Sequence, residues 1–238
     1  MAEAYKDLRI ALLGPVGSGK SSVGNTILGR NWFRVNFSPR AVTQTCETKK
    51  GAVNDTTISV IDTPGLFGPS RGAEINEMMN CANMSSPGVN AFLLVIKLGV
   101  RFTAEEKNIM ERIQHYFGED AACYTIIVFT HTDQLNGELL EEYIRASADL
   151  QTLIYRCGGR YCSFNNMDRN NSDQVNKLLL HIDKMVESNG GCHFTVQRFR
   201  TAQASGQEEE FSFVIKCALA CAVLIVLVAS FLFRGKAQ

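Results

Sequence analysis

The 238-residue sequence predicts an α/β domain in which helices flank a mostly parallel β-sheet. Apolar segments of strand length alternate along the chain with segments that place apolar residues at helical spacing. The first predicted strand, over residues 8–13, leads into residues 14–21, which fit the pattern G-x-x-x-x-G-K-[ST]. A helix is predicted directly afterwards, over 21–28. A strand, this loop and a helix in that order indicate a phosphate-binding P-loop, the mark of a nucleoside-triphosphate-binding domain.

The residue types of this loop suit a polyphosphate ligand. Glycines let successive backbone N–H groups point inward, beside a helix N-terminus that favours anions. The Lys20 ammonium can reach the β- and γ-phosphates, and the Ser21 hydroxyl can bind Mg²⁺. The residues expected to contact the nucleotide here are Gly14, Pro15, Val16, Gly17, Ser18, Gly19, Lys20, Ser21 and Ser22.

A second group of candidate ligands surrounds the next predicted strand, over 56–61. That strand runs into the tetrapeptide D-T-P-G at 62–65, which places Asp62 where a water-mediated Mg²⁺ ligand is expected. The Gly65 N–H can bond a γ-phosphate. The preceding segment, 31–54, is predicted to be a long surface loop with at most an edge strand. It offers Thr43, with Thr45 as second choice, as a ligand engaged only with a triphosphate. The expected metal ligands are therefore Ser21, Thr43 and Asp62.

A third motif concerns the base. The predicted strand over 124–129 ends in T-H-T-D at 130–133, where Thr130 and Asp133 fit the guanine-recognition pattern [NT]-K-x-D. Asp133 can accept hydrogen bonds from the guanine ring N–H and amine, whereas adenine would leave it unpaired. His131 stands where that pattern has lysine. Asn165 and Asn166 follow the next strand, over 160–164, where a loop contacting guanine O6 is expected. These motifs together predict a G domain that binds GTP or GDP.

The other predicted elements complete the domain. A further buried strand is expected over 91–96, and helices over 73–84, 103–117, 139–155 and 172–187. Gly-Gly at 190–191 is expected to end the last helix. Residues 1–190 are thus predicted to form the GTPase domain, and the polar segment 191–212 a linker.

The segment after the linker is apolar on all sides. Residues 217–233 contain no charge in 17 residues, and 213–215 extend the apolar stretch beyond Lys216. About 20 residues span the hydrocarbon core of a bilayer. We therefore expect a transmembrane tail anchor over 213–233 and a short tail over 234–238, with a helix covered by protein as the alternative. Without a predicted N-terminal signal peptide, insertion would follow synthesis and leave the domain on the cytosolic face of an intracellular membrane.

Composition limits the other ligands. The 24 basic and 24 acidic side chains balance, and no Lys/Arg-rich patch is present, so nucleic acid is not an expected partner. The eight cysteines include no C-x-x-C pair, and no histidines join them at zinc-ligand spacing. The six cysteines at positions 46–192 are therefore expected to be free, buried thiols.

With these motifs, the sequence resembles the GIMAP GTPases (GTPases of immunity-associated proteins), relatives of plant chloroplast-import GTPases with an AIG-type G domain. The segments that carry the resemblance are 14–29, 42–46, 62–67, 101–106, 129–135 and 160–166, within a match from about residue 8 to 187. The resemblance implies GTP, GDP and Mg²⁺ binding and a GTP-dependent homo- or heterodimer of family members across the nucleotide face. Several family members carry a C-terminal membrane anchor, and the family tolerates a histidine such as His131.

Hydrolysis is expected to be slow. Ras-like GTPases orient the attacking water with a glutamine just after D-x-x-G, whereas residues 66–69 here are Leu-Phe-Gly-Pro. Arg101, before a predicted capped helix, is the candidate to act in trans on a partner's nucleotide. Three functions remain open: a slow membrane-bound GTPase switch, a GTP-controlled membrane scaffold without meaningful turnover, and a nucleoside-phosphate kinase. The kinase is disfavoured because no Arg-rich lid insert is present.

Overall fold

Six strands form one sheet in the computed structural model, which describes residues 7–36, 43–65, 80–81, 83–99, 109–168, 171–195 and 197. A separate two-stranded sheet pairs β4 (Gly88–Val89) with β8 (Phe194–Thr195). The six strands are β1 (Leu8–Leu13), β2 (Glu47–Val53), β3 (Thr56–Asp62), β5 (Ala91–Lys97), β6 (Thr125–Thr130) and β7 (Tyr161–Phe164).

The strand order is β2-β3-β1-β5-β6-β7, and every pair is parallel except the antiparallel pair of β2 with β3. Burial on both faces of the sheet explains why β1 and β5 are nearly continuous apolar segments. The half-exposed β2 lies at the edge, so its polar residues face solvent without cost. The predicted α/β class with a mostly parallel sheet is therefore confirmed.

Five α-helices with complete bounds accompany the sheet within the described ranges, and residues 80, 81, 83 and 84 are helical as well. They are α1 (Lys20–Leu28), α2 (Ile109–Phe117), α3 (Leu140–Arg145), α4 (Ala148–Arg156) and α5 (Ser172–Ser188). Short 3-10 helices span Glu119–Tyr124 and Thr132–Leu135. The single helix predicted over 139–155 is wrong, because α3 and α4 are separate. The Ser147 side chain accepts a hydrogen bond from the Leu150 N–H and begins a new helix there.

Helices cover both faces of the sheet. Successive β1 side chains point to opposite faces, so Leu12 and Leu13 belong to two different core clusters. One cluster contains apolar residues of α1 and α5, and the other contains those of α2 and α4. Because both faces are covered, the exposed carboxyl edge of the parallel strands remains as the place for a ligand.

The small sheet attaches part of the expected linker to the domain. Phe194 is 3% exposed, and its ring packs against those of Phe92, Phe117 and Tyr124. Residues 194 and 195 therefore differ from the polar linker predicted over 191–212. One aromatic residue in a polar segment is too weak a pattern to predict a strand of two residues.

Several predicted features lie outside the described residues. These are Arg101, most of the helix over 73–84, the start of the helix over 103–117, and the segments 213–233 and 234–238. Among the described helices, none has the length and apolarity needed to cross a bilayer.

Two cysteines differ from the free thiols expected from the sequence. Cys46, just before β2, and Cys81 form a disulfide with their Cα atoms 5.6 Å apart. Spacing along the chain could not show this pair, because only the folded chain brings the two positions together. Cys123, Cys157, Cys162 and Cys192 are free.

Candidate functional site

The P-loop lies at the carboxyl end of β1, at the centre of the sheet. Gly14 has a φ of +143°, and a Cβ at this position would overlap the backbone oxygen of Val95 in β5. Glycine is therefore required where the loop passes its neighbouring strand. The loop then leads into α1, with Gly19 in a left-handed conformation at the helix N-terminus. Ser18 is 3% exposed, and its Oγ has no hydrogen-bond partner among the described residues.

Lys20 is a buried cation inside this loop. Its side chain is 6% exposed, and Nζ donates hydrogen bonds to the carbonyl oxygens of Gly14 at 3.1 Å and Pro15 at 2.8 Å. Burial lowers the Lys20 pKa to about 8, and the Asp62 carboxylate opposes this shift in part. An anionic ligand would stabilise the charged form, so the loop holds a poorly compensated positive charge suited to phosphate.

Two hydroxyl groups meet one carboxylate beside the loop. The Ser21 hydroxyl donates a hydrogen bond to Asp62 Oδ2 at 2.5 Å, and the Thr43 hydroxyl donates to the same oxygen at 3.2 Å. The two hydroxyl oxygens lie 3.3 Å apart. The structure thus brings together all three residues that the sequence predicts as metal ligands, whereas Thr45 is exposed.

Asp62 is strongly desolvated. It is 2% exposed, and its Oδ1 has no hydrogen-bond partner in the described part of the chain. Burial raises the Asp62 pKa, while the hydrogen bonds from Ser21 and Thr43 and the charge of Lys20 lower it. A buried carboxylate oxygen without a partner, next to two hydroxyl oxygens, fits a hard cation such as Mg²⁺. The described residues contain no group of three His, Cys, Asp or Glu that could hold a metal ion.

The D-T-P-G segment lies against the P-loop. The Thr63 hydroxyl donates to the Leu12 carbonyl oxygen at 2.6 Å, which fixes the segment to β1. A Cβ at Gly65 would overlap the Val16 side chain and lie 2.8 Å from the Val16 backbone nitrogen. Only a residue without a side chain allows this approach, so Gly65 is placed next to the loop expected to hold the phosphates.

The guanine-recognition motif is attached to the same loop. The Thr130 side chain is fully buried, and its hydroxyl donates to the Ser18 carbonyl oxygen at 2.7 Å. His131 has a left-handed backbone, and its Nδ1 lies 3.1 Å from the Thr130 hydroxyl oxygen. Burial and the nearby Lys97 charge lower the His131 pKa, while Asp133 raises it. Asp133 itself is exposed in the following 3-10 helix.

Two residues that the motifs do not identify support the second base loop. The Gln174 side chain accepts from the Asn165 N–H at 2.9 Å and donates to the Asn165 carbonyl oxygen at 3.3 Å. The Thr26 hydroxyl of α1 donates to Asn166 Oδ1 at 2.9 Å. Thr26 lies one turn after Ser22, so helical periodicity places it on the P-loop side of α1, but its partner could be found only from the fold.

The loops from β1, β3, β6 and β7 therefore form one site at the carboxyl edge of the sheet. A Cβ at Gly19 would lie 3.5 Å from the Thr130 methyl group and 3.7 Å from Asn166 Nδ2, which shows how closely three loops approach. Arg101 is the one predicted site residue that lies outside the described residues.

The similarity of this chain to known proteins is not limited to the site residues. Residues 8–212 match the AIG1 family. Human GTPase IMAP family member 8 is 37% identical over 190 residues, which cover 78% of this chain and 28% of that protein. Immune-associated nucleotide-binding protein 1 of Arabidopsis thaliana is 34% identical over 201 residues, covering 80% and 89% of the two chains. The chain spans 47% of a further Arabidopsis relative, Immune-associated nucleotide-binding protein 10.

Solved structures agree on the fold. Toc33 from Arabidopsis thaliana in complex with Mg²⁺ and GMPPNP superposes with a TM-score of 0.61 at 21% identity, covering 77% of this chain and 85% of Toc33. A dimerization-deficient mutant of Toc33 gives the same TM-score at 22% identity, covering 76% and 84% of the two chains. At these identities the likeness concerns the fold alone, whereas the sequence match identifies the family: this chain belongs to the AIG1 family.

Proposed function

We propose that this protein binds GTP and GDP together with Mg²⁺, hydrolyses GTP slowly and acts as a membrane-anchored switch. The observation that carries the proposal is the contact of Ser21 with Asp62 beside the buried Lys20. Hydroxyl, carboxylate and ammonium groups at a helix N-terminus form the chemical set that a Mg²⁺-bound polyphosphate requires.

Each group has a separate task in this proposal. The Lys20 ammonium and the loop N–H groups hold the phosphates, and Ser21 and Thr43 bind Mg²⁺ through their hydroxyl oxygens. Asp62 orients the metal's water ligands, and Gly65 contacts the γ-phosphate by its N–H. The ion, when bound, neutralises charge on the phosphate oxygens.

Guanine is the proposed base because of the motifs after β6 and β7. The exposed Asp133 carboxylate can accept from the guanine N–H and amine, and neutral His131 can cover the base as the usual lysine stem would. The name of the human relative, a GTPase, supports this choice. The names of the Arabidopsis relatives support nucleotide binding in general.

Slow hydrolysis and dimer formation belong to the same proposal. The residues after Gly65 offer no side chain that orients water, so a partner molecule would have to supply the missing group. For the chloroplast translocon components atToc33 and psToc159, dimerization is important for the GTPase activity. That relation supports a dimer of this chain, or of this chain with another family member, across the nucleotide face.

The proposed anchor is the apolar segment 213–233, which would hold the domain 1–190 on the cytosolic face of an intracellular membrane. Its length and lack of charge support a membrane-spanning segment. The linker 191–212 would separate the nucleotide site from the bilayer.

Competition binding tests the choice of nucleotide. GTP, GDP, ATP and XTP would compete with a fluorescent GDP for wild-type protein, for Asp133→Asn and for Asp55→Asn. Asp55 is an exposed turn residue with a φ of +61°, which asparagine accepts well, so this variant is the matched control. We expect wild type and control to prefer guanine nucleotides, and Asp133→Asn to shift toward xanthine. Equal competition by ATP and GTP for wild type would overturn the proposal.

A further inference from the structure

The Cys46–Cys81 disulfide connects the segment that carries Thr43 to a part of the chain beyond the D-T-P-G segment. Cys46 lies three residues after Thr43, and Cys81 lies in a helical segment that follows the D-T-P-G segment along the chain. Their Cα separation of 5.6 Å falls within the usual range for disulfides.

We infer that Cys46 and Cys81 form a reversible redox modification site that, when oxidised, holds Thr43 at the metal site and favours the GTP-bound state over the GDP-bound state. This inference rests on the proposed function, because it concerns how the same nucleotide site is regulated. It assigns to the cysteines a role that the motifs of nucleotide binding do not include.

The geometry of the crosslinked chain supports the direction of this effect. With the disulfide in place, the Thr43 hydroxyl lies 3.2 Å from Asp62 Oδ2 and 3.3 Å from Ser21 Oγ. Thr43 lies three residues before Cys46, and the next residue, Glu47, already pairs with Asp62 between β2 and β3, so the disulfide adds a second attachment at this end of the segment. The crosslink also encloses Asp62 and Gly65 within its 35-residue separation. Oxidation would thus restrain the residues on both sides of the metal site.

Cys46 is more accessible to solvent than Cys81, so we expect Cys46 to react first. Cys46 is half-buried, whereas Cys81 is 6% exposed in the apolar cluster against which Cys46 packs. A small disulfide such as oxidised glutathione would react first with the Cys46 thiolate, forming a mixed disulfide and releasing one glutathione thiol. The Cys81 thiolate then attacks the Cys46 sulfur and releases the second glutathione thiol. Two protein thiols are oxidised, and one glutathione disulfide is reduced to two thiols.

The other described thiols are less suited to this exchange. Cys157 and Cys162 are buried, and burial raises their pKa to about 11 and about 12, so little reactive thiolate forms. Cys123 and Cys192 are exposed and free. Cys123 therefore supplies a matched control, because its replacement removes an accessible thiol without touching the metal site.

The experiment compares full-length protein treated with oxidised glutathione and the same protein treated with dithiothreitol. Mass spectrometry of the peptides containing Cys46 and Cys81 reports the bond directly, without any nucleotide. Titration with GDP and with GMPPNP then gives the ratio of the two dissociation constants in each redox state. Wild type, Cys46→Ser, Cys81→Ser and Cys123→Ser are measured in parallel.

We expect oxidation to shift the ratio toward GMPPNP by about fivefold or more in wild type and Cys123→Ser, the size of a typical coupling between two sites. The ratio should not change in Cys46→Ser or Cys81→Ser. Failure of the bond to form, or its formation with an unchanged ratio and tight nucleotide binding, would overturn this inference alone. Absence of nucleotide binding in both redox states would overturn the proposed function and the inference with it.

Discussion

The Ser21 hydroxyl donates a 2.5 Å hydrogen bond to Asp62 Oδ2, although 41 positions separate the two residues in the sequence. The bond joins the first turn of α1, where the P-loop motif ends, to the carboxyl end of β3, where D-T-P-G begins. It satisfies one oxygen of a carboxylate whose Oδ1 has no partner among the described residues. A cation at this position would compensate the buried charge that the hydroxyl groups compensate only in part.

Asp62→Asn should separate metal binding from folding. Removing the charge should abolish most of the Mg²⁺-dependent gain in GTP affinity, a loss of about tenfold or more, since hydrogen bonds and contacts to charged groups contribute about 1.5–3 kcal/mol. The unliganded protein should lose little stability, because removing the unfavourable burial of the carboxylate and removing its attraction to the buried Lys20 ammonium have opposite effects. Nucleotide titrations in Mg²⁺ and in EDTA, with thermal unfolding, measure both effects. Asp55→Asn is the control, and a variant that keeps its Mg²⁺ dependence would contradict the metal site.

Thr43 and Thr45 form a natural pair for testing the triphosphate-dependent ligand. Thr43 contacts both Ser21 and Asp62, whereas Thr45 is exposed. Thr43→Ala should weaken Mg²⁺-dependent binding of GMPPNP by about tenfold, equivalent to about 1.4 kcal/mol, and leave GDP binding nearly unchanged. Thr45→Ala should change neither, and Thr43→Ser, which keeps the hydroxyl, should bind like wild type. The assignment would be wrong if Thr45→Ala had the larger effect.

Lys20 should make nucleotide affinity depend on pH. Its pKa in the unliganded protein is about 8, and bound phosphates favour the protonated form, so binding takes up a proton above that pH. Affinity should be nearly constant below pH 8 and then fall as pH rises, by at most about tenfold per unit for a single proton. In Lys20→Arg the side chain stays charged, so the residual affinity should lack this slope. Titration of the guanine base of the nucleotide affects wild type and Lys20→Arg equally. Lys50→Arg is the matched surface control.

The lowered pKa of Lys20 also predicts how the stability of the unliganded protein changes with pH. The folded-state pKa of Lys20 is about 8, below the ordinary lysine value of 10.5, so the unfolded chain binds more protons between these values. The free energy of unfolding should therefore rise as pH increases through this window, relative to Lys20→Met. Denaturant unfolding at pH 7 and pH 9.5 without nucleotide measures this difference. A slope of zero or of opposite sign would show that the pKa of Lys20 is not lowered in the folded protein.

Sequence patterns predict the centre of this fold well because its strands are buried on both faces. β1, β3, β5 and β6 are apolar stretches that end in chemical motifs, so their positions and the site at their carboxyl edge follow from local information. The meeting of Ser21 with Asp62 could be expected for the same reason, since both follow central strands. These predictions needed no knowledge of tertiary contacts.

The features that the sequence does not predict depend on tertiary packing. The hydrogen bond from Thr26 to Asn166 and the two bonds from Gln174 to Asn165 form between distant segments. The Phe194 strand exists because its ring fills an aromatic cluster, and the Cys46–Cys81 pair exists because the folded chain brings Cys46, just before β2, next to residue 81. Neither the periodicity nor the spacing of residues along the chain indicates that these residues contact one another.

The predicted membrane segment can be tested by adding charge to its centre. Replacing Leu224 and Val226 with Asp should release the protein from membranes, because each central Asp costs roughly 2.5 to 3.5 kcal/mol on insertion scales. Replacing the same two residues with Ile should leave the protein in the membrane fraction. Carbonate extraction of cell membranes separates the two results. Wild-type protein that is extracted by carbonate would contradict an anchor over 213–233.

Arg101 carries the prediction that hydrolysis is completed by a second molecule. The four residues after Gly65 offer no side chain that orients water. Lys20 and a bound Mg²⁺ would stabilise part of the charge on the γ-phosphate, and we expect an arginine of a second molecule to supply the rest. An arginine supplied to a partner's phosphate can raise the rate by about 10³ to 10⁵. Phosphate release per molecule of wild type should therefore rise with protein concentration, whereas Arg101→Ala should bind GTP normally and stay at the basal rate.

Two further measurements decide between Arg101 and the open alternatives. Arg101→Lys keeps the charge but loses the planar guanidinium. A rate between those of wild type and Arg101→Ala would indicate that charge alone contributes, whereas the basal rate would indicate that the guanidinium geometry is needed.

Mixing Arg101→Ala with Lys20→Ala is the sharper test. The first variant keeps a nucleotide site and the second keeps the arginine, so a trans mechanism in which one bound GTP is enough for pairing predicts that the mixture hydrolyses GTP faster than either alone. A flat concentration series for wild type would instead favour a GTP-controlled scaffold, because a dimer-dependent rate cannot be independent of the fraction of protein that is paired.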